Sequence, residues 1–435
     1  MRTLMLSDHS LIIRGLWGLA LALGVAAPSS AHALEPLDGF VASARRQGFD
    51  ARESRATLAQ REGEVSAANL RLLPVLGAQG TLTRNQYEAK VGDKTIVPLN
   101  QADLFLTASW TVVDVGQWER IGAAKRTLEA AESRAKVVEL DVERAVSRDY
   151  YQVVAAEAVR EAAGRTLAAA EKNASFVEAR RAAGLAQELD GRRAQVEVAR
   201  GQQIVADATY QVAVARRALE TDSGQRPSTG APALTADLQP EAPLSEWEGR
   251  NLDGHPAVKA AAADARALER SATATRASLL PTLSVAAQER LTNATGFQDR
   301  ASIYALSATA AIRFDVGQLS AANAQERSAE AAKVREERAR AAARDRVFGA
   351  WHLVRAQIDK ARAARAGLVA SRLAAETAKQ RYEAGTATFL DVVVAERDAF
   401  QAEVTRIQAD GDLLFSRADL RLAAGGHATD AGRSP

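Results

Sequence analysis

The chain contains no cysteine among its 435 residues. Disulfide staples, thiol chemistry and a lipidated N-terminal cysteine are therefore excluded. It also lacks a charge excess of either sign: 56 Lys and Arg stand against 54 Asp and Glu, a formal net charge of +2. A nucleic-acid binder would show a strong basic surplus, so that partner class is set aside. Beyond the N-terminal region no run approaches the roughly 20 apolar residues that a membrane helix requires. The mature chain is therefore either soluble or crosses a membrane as β-strands. Metal-ligand spacing is missing too, because His255, His352 and His427 are scattered. No nucleophile elbow or phosphate loop occurs. No catalytic residue, metal site or cofactor is assigned, and an enzyme is not expected.

What is present begins with an export signal. Arg2 and Arg14 precede an apolar run from Leu16 to Ala27, and Ala31-His32-Ala33 supplies small residues for cleavage before Leu34. Residues 1–33 are thus expected to be a signal peptide.

The remainder is an internal duplication. Leu72-Leu73-Pro74 recurs as Leu279-Leu280-Pro281, and Asp114-Val115-Gly116-Gln117 as Asp315-Val316-Gly317-Gln318. Ala183-Gly184 with Leu189-Asp190 recurs as Ala384-Gly385 with Leu390-Asp391. The order is kept at an offset of about 200 residues. The expected organisation is a first repeat over 34–222, a linker over 223–243 rich in Pro, Gly, Ser and Thr, a second repeat over 244–424, and a disordered tail over 425–435.

Each repeat reads helix, strand, strand, long helix, long helix. The first helix should stop at Pro74 or Pro281, as proline requires. Leu104, Leu106, Ala108, Trp110 and Val112 alternate with Phe105, Thr107, Ser109, Thr111 and Val113. Leu306, Ala308, Ala310 and Ile312 alternate with smaller or polar residues, and so do Leu283, Val285 and Ala287. Val75–Thr83 repeats the pattern more weakly. This alternation suits a membrane barrel strand; an amphipathic strand of a soluble sheet is the plainer alternative. From Gln117 to Ala183 there is no proline, and Ile121, Ala124, Leu128, Ala131, Ala135, Val138, Val142 and Ala145 keep a coiled-coil spacing. Such a helix would be about 100 Å long. It should reverse at Gly184 or Gly385 and return as a shorter helix. Returning helix and first helix, stacked end to end, would run beside the long one.

Four strands cannot close a barrel, and an open edge in lipid costs several kcal/mol per unpaired group. Either the strands lie outside a membrane or several copies share one barrel. The paired Leu-Leu-Pro and Asp-Val-Gly-Gln turns, and the stretch Tyr382-Glu383-Ala384-Gly385-Thr386-Ala387-Thr388-Phe389-Leu390-Asp391-Val392, resemble the TolC-type outer-membrane efflux family over essentially the whole mature chain. The resemblance implies an α+β membrane protein. Three protomers of four strands would form a twelve-stranded outer-membrane β-barrel, continued by a long periplasmic α-helical barrel and ringed by a small mixed belt domain. It implies a passive exit duct of a tripartite efflux or type I secretion system. Its partners would be a homotrimer's other copies, a periplasmic adaptor, outer-membrane lipid and, indirectly, an inner-membrane pump of the RND, ABC or MFS class. A periplasmic coiled-coil adaptor or scaffold without a pore is the alternative; the duplicated strand pairs argue against it.

The resemblance also assigns roles. Asp190 and Asp391 would lie at the periplasmic mouth, where a carboxylate ring favours cations. Each could instead be an ordinary acidic residue near a helix N-terminus. Tyr382 would hydrogen-bond near Asp190 and hold the mouth closed, or serve as a packing aromatic. Ala387 and Val394 depart from the family pattern, standing where a basic and an acidic residue are usual. Arg181, opposite Tyr382 in the repeat, is a candidate for a compensating cross-helix contact. Gly184, Leu185, Gly385 and Thr386 would form the tips that meet an adaptor. Pro74, Gly116, Pro281 and Gly317 read as punctuation at strand–helix junctions. Tyr87, Trp110, Trp118, Tyr304 and Phe314 are candidates for interfacial girdles.

Overall fold

The computed structural model describes residues 34–249, 252–312 and 316–428. The expected signal peptide, the Phe314 girdle candidate, Asp315 of the second Asp-Val-Gly-Gln and residues 429–435 lie outside the described residues. The first repeat runs α1 (Leu37–Gln47), α2 (Phe49–Leu70), β1 (Val75–Arg84), β2 (Ala89–Val91), β3 (Lys94–Val97), β4 (Asn100–Val113), α3 (Val115–Ala182) and α4 (Glu188–Ser223). The second runs α5 (Leu244–Glu248), a 3-10 turn at Leu252–Gly254, α6 (Pro256–Ala277), β5 (Thr282–Thr292), β6 (Ser302–Ala311), α7 (Val316–Glu383) and α8 (Phe389–Ala423).

The repeated turns do physical work at the junctions. Pro74 and Pro281 each stand immediately before a strand, where a missing N–H costs nothing. Asp114 caps α3: its Oδ1 accepts from the Gln117 N–H at 2.9 Å, and Gln117 Nε2 reaches back to the Ala68 carbonyl at 2.9 Å. Gly116 permits a close approach, since a Cβ there would stand 3.3 Å from the Ala274 carbonyl of α6. Gly317 takes the same place in the first turn of α7.

The long helices set the architecture. α3 and α7 each have 68 residues, about 100 Å of helix. α2 and α4 both pack on α3; α6 and α8 pack between α3 and α7. Gly48, before α2, packs against the Asp222 carbonyl of α4, and Gly425, after α8, packs against His255, which caps α6. The short helices are therefore stacked end to end beside the long ones, as their summed lengths suggested. Ile121, Ala131 and Val142 of the expected seam are buried, and Ala124, Leu128, Ala135, Val138 and Ala145 are half-buried.

Apolar core is concentrated at mid-length, where the helices acquire an outer cover. Phe40 and Val41 of α1 pack on Val146, Val153 and Leu219. Trp247 of α5 and Leu252 pack on Val347, Val354 and Leu420. Between them the expected linker is a fixed strap. Trp351 Nε1 donates to the Ala242 carbonyl at 2.9 Å, Arg365 Nη2 to Ala236 at 2.6 Å and Arg417 Nη2 to Asp237 at 3.1 Å. Buried Asp410 anchors Arg365 at 2.7 Å and Arg406 at 2.9 Å. Two expectations need correction. The belt contains no strand among the described residues, only short helices and strap. The tail is ordered further than its composition suggested: the Ala428 N–H donates to buried Glu143 at 2.7 Å, and Arg45 of α1 meets the same carboxylate at 2.6 Å.

Candidate functional site

Two ends of the molecule carry functional geometry. At one end β1, β4, β5 and β6 form a single antiparallel sheet in the order β1-β4-β5-β6, joining the two repeats through β4 and β5. The ladder register decides the faces. One row set holds Leu76, Ala78 and Leu82 of β1, Leu104, Leu106 and Trp110 of β4, Val285 and Ala287 of β5, and Leu306 and Ala308 of β6. The opposite face carries Gln79, Thr81, Gln101, Asp103, Thr107, Gln288, Arg290 and Thr309. Asp103 is buried among partners: Arg290 Nε donates at 2.9 Å and Gln101 Nε2 at 2.7 Å, while the guanidinium lies 5.6 Å from the Phe105 ring centre. The Arg290 bond laces the second repeat to the first across the polar face.

The apolar face carries polar residues at its loop-side margin, Arg84, Asn100 and Ser302, and nearer its middle a carboxylate that pattern reading passed over. Glu289 lies directly opposite Leu106 on one side and Tyr304 on the other, and accepts from the Ser302 hydroxyl at 2.7 Å. Among the described residues the sheet's outer strands, β1 and β6, have no ladder partner on their far sides. The β2–β3 hairpin, also unforeseen, projects from the β1–β4 connection, and Tyr87 and Tyr304 are exposed on that side. Trp110 sits at the opposite margin, its Nε1 donating to the Leu72 carbonyl at 2.8 Å. Exposed Trp118 follows in the first turns of α3.

At the far end the long helices reverse. Gly184 has φ +73° and Gly385 φ +77°, a left-handed conformation that a side chain disfavours. The same paired bonds close both turns. The Gly184 and Leu185 N–H groups donate to Arg181 and Arg180 carbonyls at 2.9 and 2.8 Å. Those of Gly385 and Thr386 donate to Tyr382 and Arg381 at 3.0 and 2.8 Å. Leu185 is 69% exposed at its tip.

The duplicated aspartates share a position, the third residue of a returning helix, but not a task. Asp391 is half of a reciprocal cap: its Oδ2 accepts from the Thr388 N–H and hydroxyl, both at 2.8 Å. Those donors hold the carboxyl below its usual range. In the first repeat Gln187 stands where Thr388 caps α8, and it makes no cap bond. Asp190 is left to a 3.8 Å contact with Arg193.

Tyr382 is only 8% exposed. Its ring packs on Phe389 and Phe176 at centroid distances of 5.5 and 6.4 Å, with Val177, Ala194 and Val392 around it. The expected hydrogen bond to Asp190 is not made within the protomer: the buried Tyr382 Oη has no partner among the described residues. Burial raises the phenol's pKa, the Asp190 charge raises it further, and Arg180 opposes both. Arg181 does not cross between helices either; it pairs with Glu178 on its own helix at 2.5 Å. The crossing residue is Arg180. Its Cζ lies 5.2 Å from the Tyr382 ring centre and 5.6 Å from that of Phe176, and its Nη1 donates to the Glu383 carbonyl at 3.2 Å. Further up, Asn173 Nδ2 bonds both oxygens of Glu396 at 2.8 and 2.9 Å, and Arg397 pairs with Glu197. The one sequence signal for this cluster was the one-turn spacing of Phe176 and Arg180 on the helix face that carries Val177.

Among the described residues no helix is long and apolar enough to cross a membrane, and no group of His, Cys, Asp and Glu could hold a metal ion.

Comparison with known proteins agrees with this geometry. The model of the family described as outer membrane efflux protein matches residues 41–225 and 249–426. Comparison with curated protein sequences found no match. Solved structures match closely in shape and distantly in sequence. The Campylobacter jejuni CmeC outer membrane channel superposes with a TM-score of 0.77 at 15% identity, over 91% of this chain and 87% of that one. The open state of the Neisseria gonorrhoeae MtrE outer membrane channel gives 0.74 at 20% identity, over 91% and 90%. The Vibrio cholerae outer membrane protein VceC gives 0.71 at 18% identity, over 90% and 96%.

Proposed function

The chain belongs to the outer membrane efflux protein family, and from that premise we propose that three copies of it form an exit duct whose sheets share one barrel in the outer membrane. The observation that carries this reading is the four-stranded sheet itself: apolar on one face, polar on the other, and unpaired at β1 and β6. In lipid every backbone donor and acceptor must be matched, so β6 of one copy needs β1 of the next. The helices repeat the logic. α2 and α4 form one flank of the protomer and α7 the other, with Phe49 and Tyr210 exposed on the first and Val334, Phe348 and Val369 on the second. Two different flanks that meet head to tail close a ring.

In this assembly the polar sheet face lines the pore, and the helices continue the tube about 100 Å into the periplasm. The duct is passive. Gly184, Leu185, Gly385 and Thr386 are the surfaces offered to a periplasmic adaptor, through which an RND, ABC or MFS pump acts indirectly. Asp190, Asp391 and Tyr382 surround the mouth, the two carboxylates giving it a cation preference. Native mass spectrometry of the full mature chain extracted from outer membranes, with planar-bilayer recording of the same sample, tests the proposal. A conducting trimer is expected. A monomer, or a protein recovered with soluble periplasmic contents, would overturn it.

A further inference from the structure

We propose that neighbouring copies of this chain meet at one register: β6 of one copy lies against β1 of the next, with Ser302 opposite the partner's Arg84 and Ala311 opposite the partner's Val75. The inference rests on the channel reading above and adds the alignment of the seam, which fixes the tilt of the barrel. The free edges decide the phase. The Thr292 N–H donates to the Ala301 carbonyl at 2.8 Å, in line with the β5–β6 ladder. Hydrogen-bonded positions alternate along an antiparallel strand, so Ile303, Ala305, Ser307 and Thr309 also bond inward to β5. Ser302, Tyr304, Leu306, Ala308 and Ala310 therefore aim their N–H and C=O groups away from the sheet. On the other edge the Asn85 N–H donates to the Leu99 carbonyl at 2.8 Å, in line with the β1–β4 ladder. By the same alternation Leu76, Ala78, Gly80, Leu82 and Arg84 aim theirs outward. Each outward set is also the set on the apolar face of its strand. Bonding the two edges together thus keeps apolar face beside apolar face, and leaves only registers that differ by steps of two residues.

Length and tilt select among them. β6 and β1 each have 10 residues, and only the proposed register gives every one of them a partner. Rung by rung, Ser302 lies level with Leu291, Leu104 and Gly80 of its own copy. Meeting the partner's Arg84 rather than the partner's Gly80 advances the ladder by four residues for every four strands. With about 3.4 Å per residue and about 4.8 Å between strands, that stagger is a tilt of about 35°, within the range of membrane barrels. A slip that sets Ser302 against the partner's Leu82 lowers the tilt to about 20°, too upright for such a barrel. The opposite slip sets Ser302 beyond the end of β1 and leaves the partner's Val75 and Leu76 past the end of β6. The proposed register also sets Leu306, 76% exposed in the single copy, against the partner's Gly80, where a Cβ would meet nothing within 4 Å.

A chain without cysteine makes the test direct. Ser307 falls opposite the partner's Gln79 in a pair without ladder bonds, where Cβ atoms stand closest and a disulfide can form. Ser307→Cys with Gln79→Cys, oxidised mildly in isolated outer membranes, should shift most of the chain from monomer to covalent trimer on a denaturing, non-reducing gel. Ser307→Cys with Thr81→Cys, or with Gly77→Cys, reports the two slipped registers. Both should stay mostly monomeric on the gel, as should each single variant. If the first pair does not reach the outer membrane, Ala305→Cys with Thr81→Cys reads the same register on the next polar-face rung, with Gln79→Cys and Thr83→Cys as its slipped controls. Strongest cross-linking in a slipped pair overturns the proposal. So does a lack of cross-linking in every pair while native mass spectrometry shows the wild type as a trimer. A wild type that is monomeric in the membrane extract overturns the channel reading itself, and this inference with it.

Discussion

Replacing Leu106 by arginine tests the sheet assignment most sharply, because the register makes its cost depend on a second residue. Leu106 lies at the middle of β4, on the apolar face, with Ala78 opposite on β1 and Glu289 opposite on β5. A lipid-facing arginine near mid-bilayer costs roughly 2–4 kcal/mol per copy. Three copies would lose about 6–12 kcal/mol, comparable with the whole stability of an ordinary domain. Directly opposed side chains on neighbouring strands have Cβ atoms about 5 Å apart. The new guanidinium would therefore find the Glu289 carboxylate, and the pair would recover part of the loss. Leu106→Arg should accordingly weaken the trimer measurably, and Leu106→Arg with Glu289→Leu should weaken it more, even though Glu289→Leu alone should stabilise it by removing a lipid-facing carboxylate. Thr107→Arg, one residue away on the polar face, should cost least. The assay is the temperature at which the membrane-extracted trimer falls apart, with the amount reaching the outer membrane as a second readout. Equal tolerance of Leu106→Arg and Thr107→Arg would refute the assignment of faces. A double variant no weaker than Leu106→Arg alone would refute the register.

Tyr382→Phe removes a hydroxyl that is buried without a partner among the described residues, so it should stabilise the tips by up to about 1 kcal/mol; a lower melting temperature would show that the hydroxyl bonds across the assembled trimer. Asp149 of α3 is raised to about 6, first by burial and then by the Asp222 carboxylate of α4, with Arg148 opposing. A raised acid contributes stability that is fully present below its unfolded value and lost as pH rises through the folded one. Trimer melting should therefore decline between about pH 4 and about pH 6, and Asp149→Asn should flatten that slope; an unchanged slope would place the titration elsewhere. Asp391→Asn should lower the cation preference of the channel, read as a shift in reversal potential under a salt gradient. No shift would mean that Asp391 serves α8 as a cap and nothing more.

Much of this was legible in the sequence because the signals are local. Proline ends α2 and α6 before the strands, Asp114 announces the start of α3, and Gly184 and Gly385 mark reversals that only a left-handed residue completes cheaply. Alternation revealed the two faces of β4 and β6 because each face meets a different solvent. What escaped depends on contacts between distant segments. α1 and α5 are too short to show a period, and hold their places by packing on α3 and α7. The strap has the composition of a linker, yet Trp351, Arg365 and Arg417 fasten its carbonyls. Residues 425–428 look like a tail until Glu143, more than 280 positions away, is seen to receive Ala428. At the mouth, repeat symmetry pointed to Arg181, but the neighbouring Arg180 faces α7. The two aspartates proved equivalent in position and unequal in use, because Gln187 cannot do what Thr388 does.

The end-to-end stacking of the short helices gives the tube a joint. At the level of the belt, α4 gives way to α2 and α8 to α6, while α3 and α7 run through unbroken. Alternate staves are thus cut at one height and splinted by their neighbours, and the strap, with α1 and α5, binds that height like a hoop. Twist applied at the hairpins meets continuous rods in half the wall and seams in the other half, all of them under the hoop. The lower tube can therefore change its winding while the strands above keep their register, so a mouth can open without disturbing the barrel that seals the membrane.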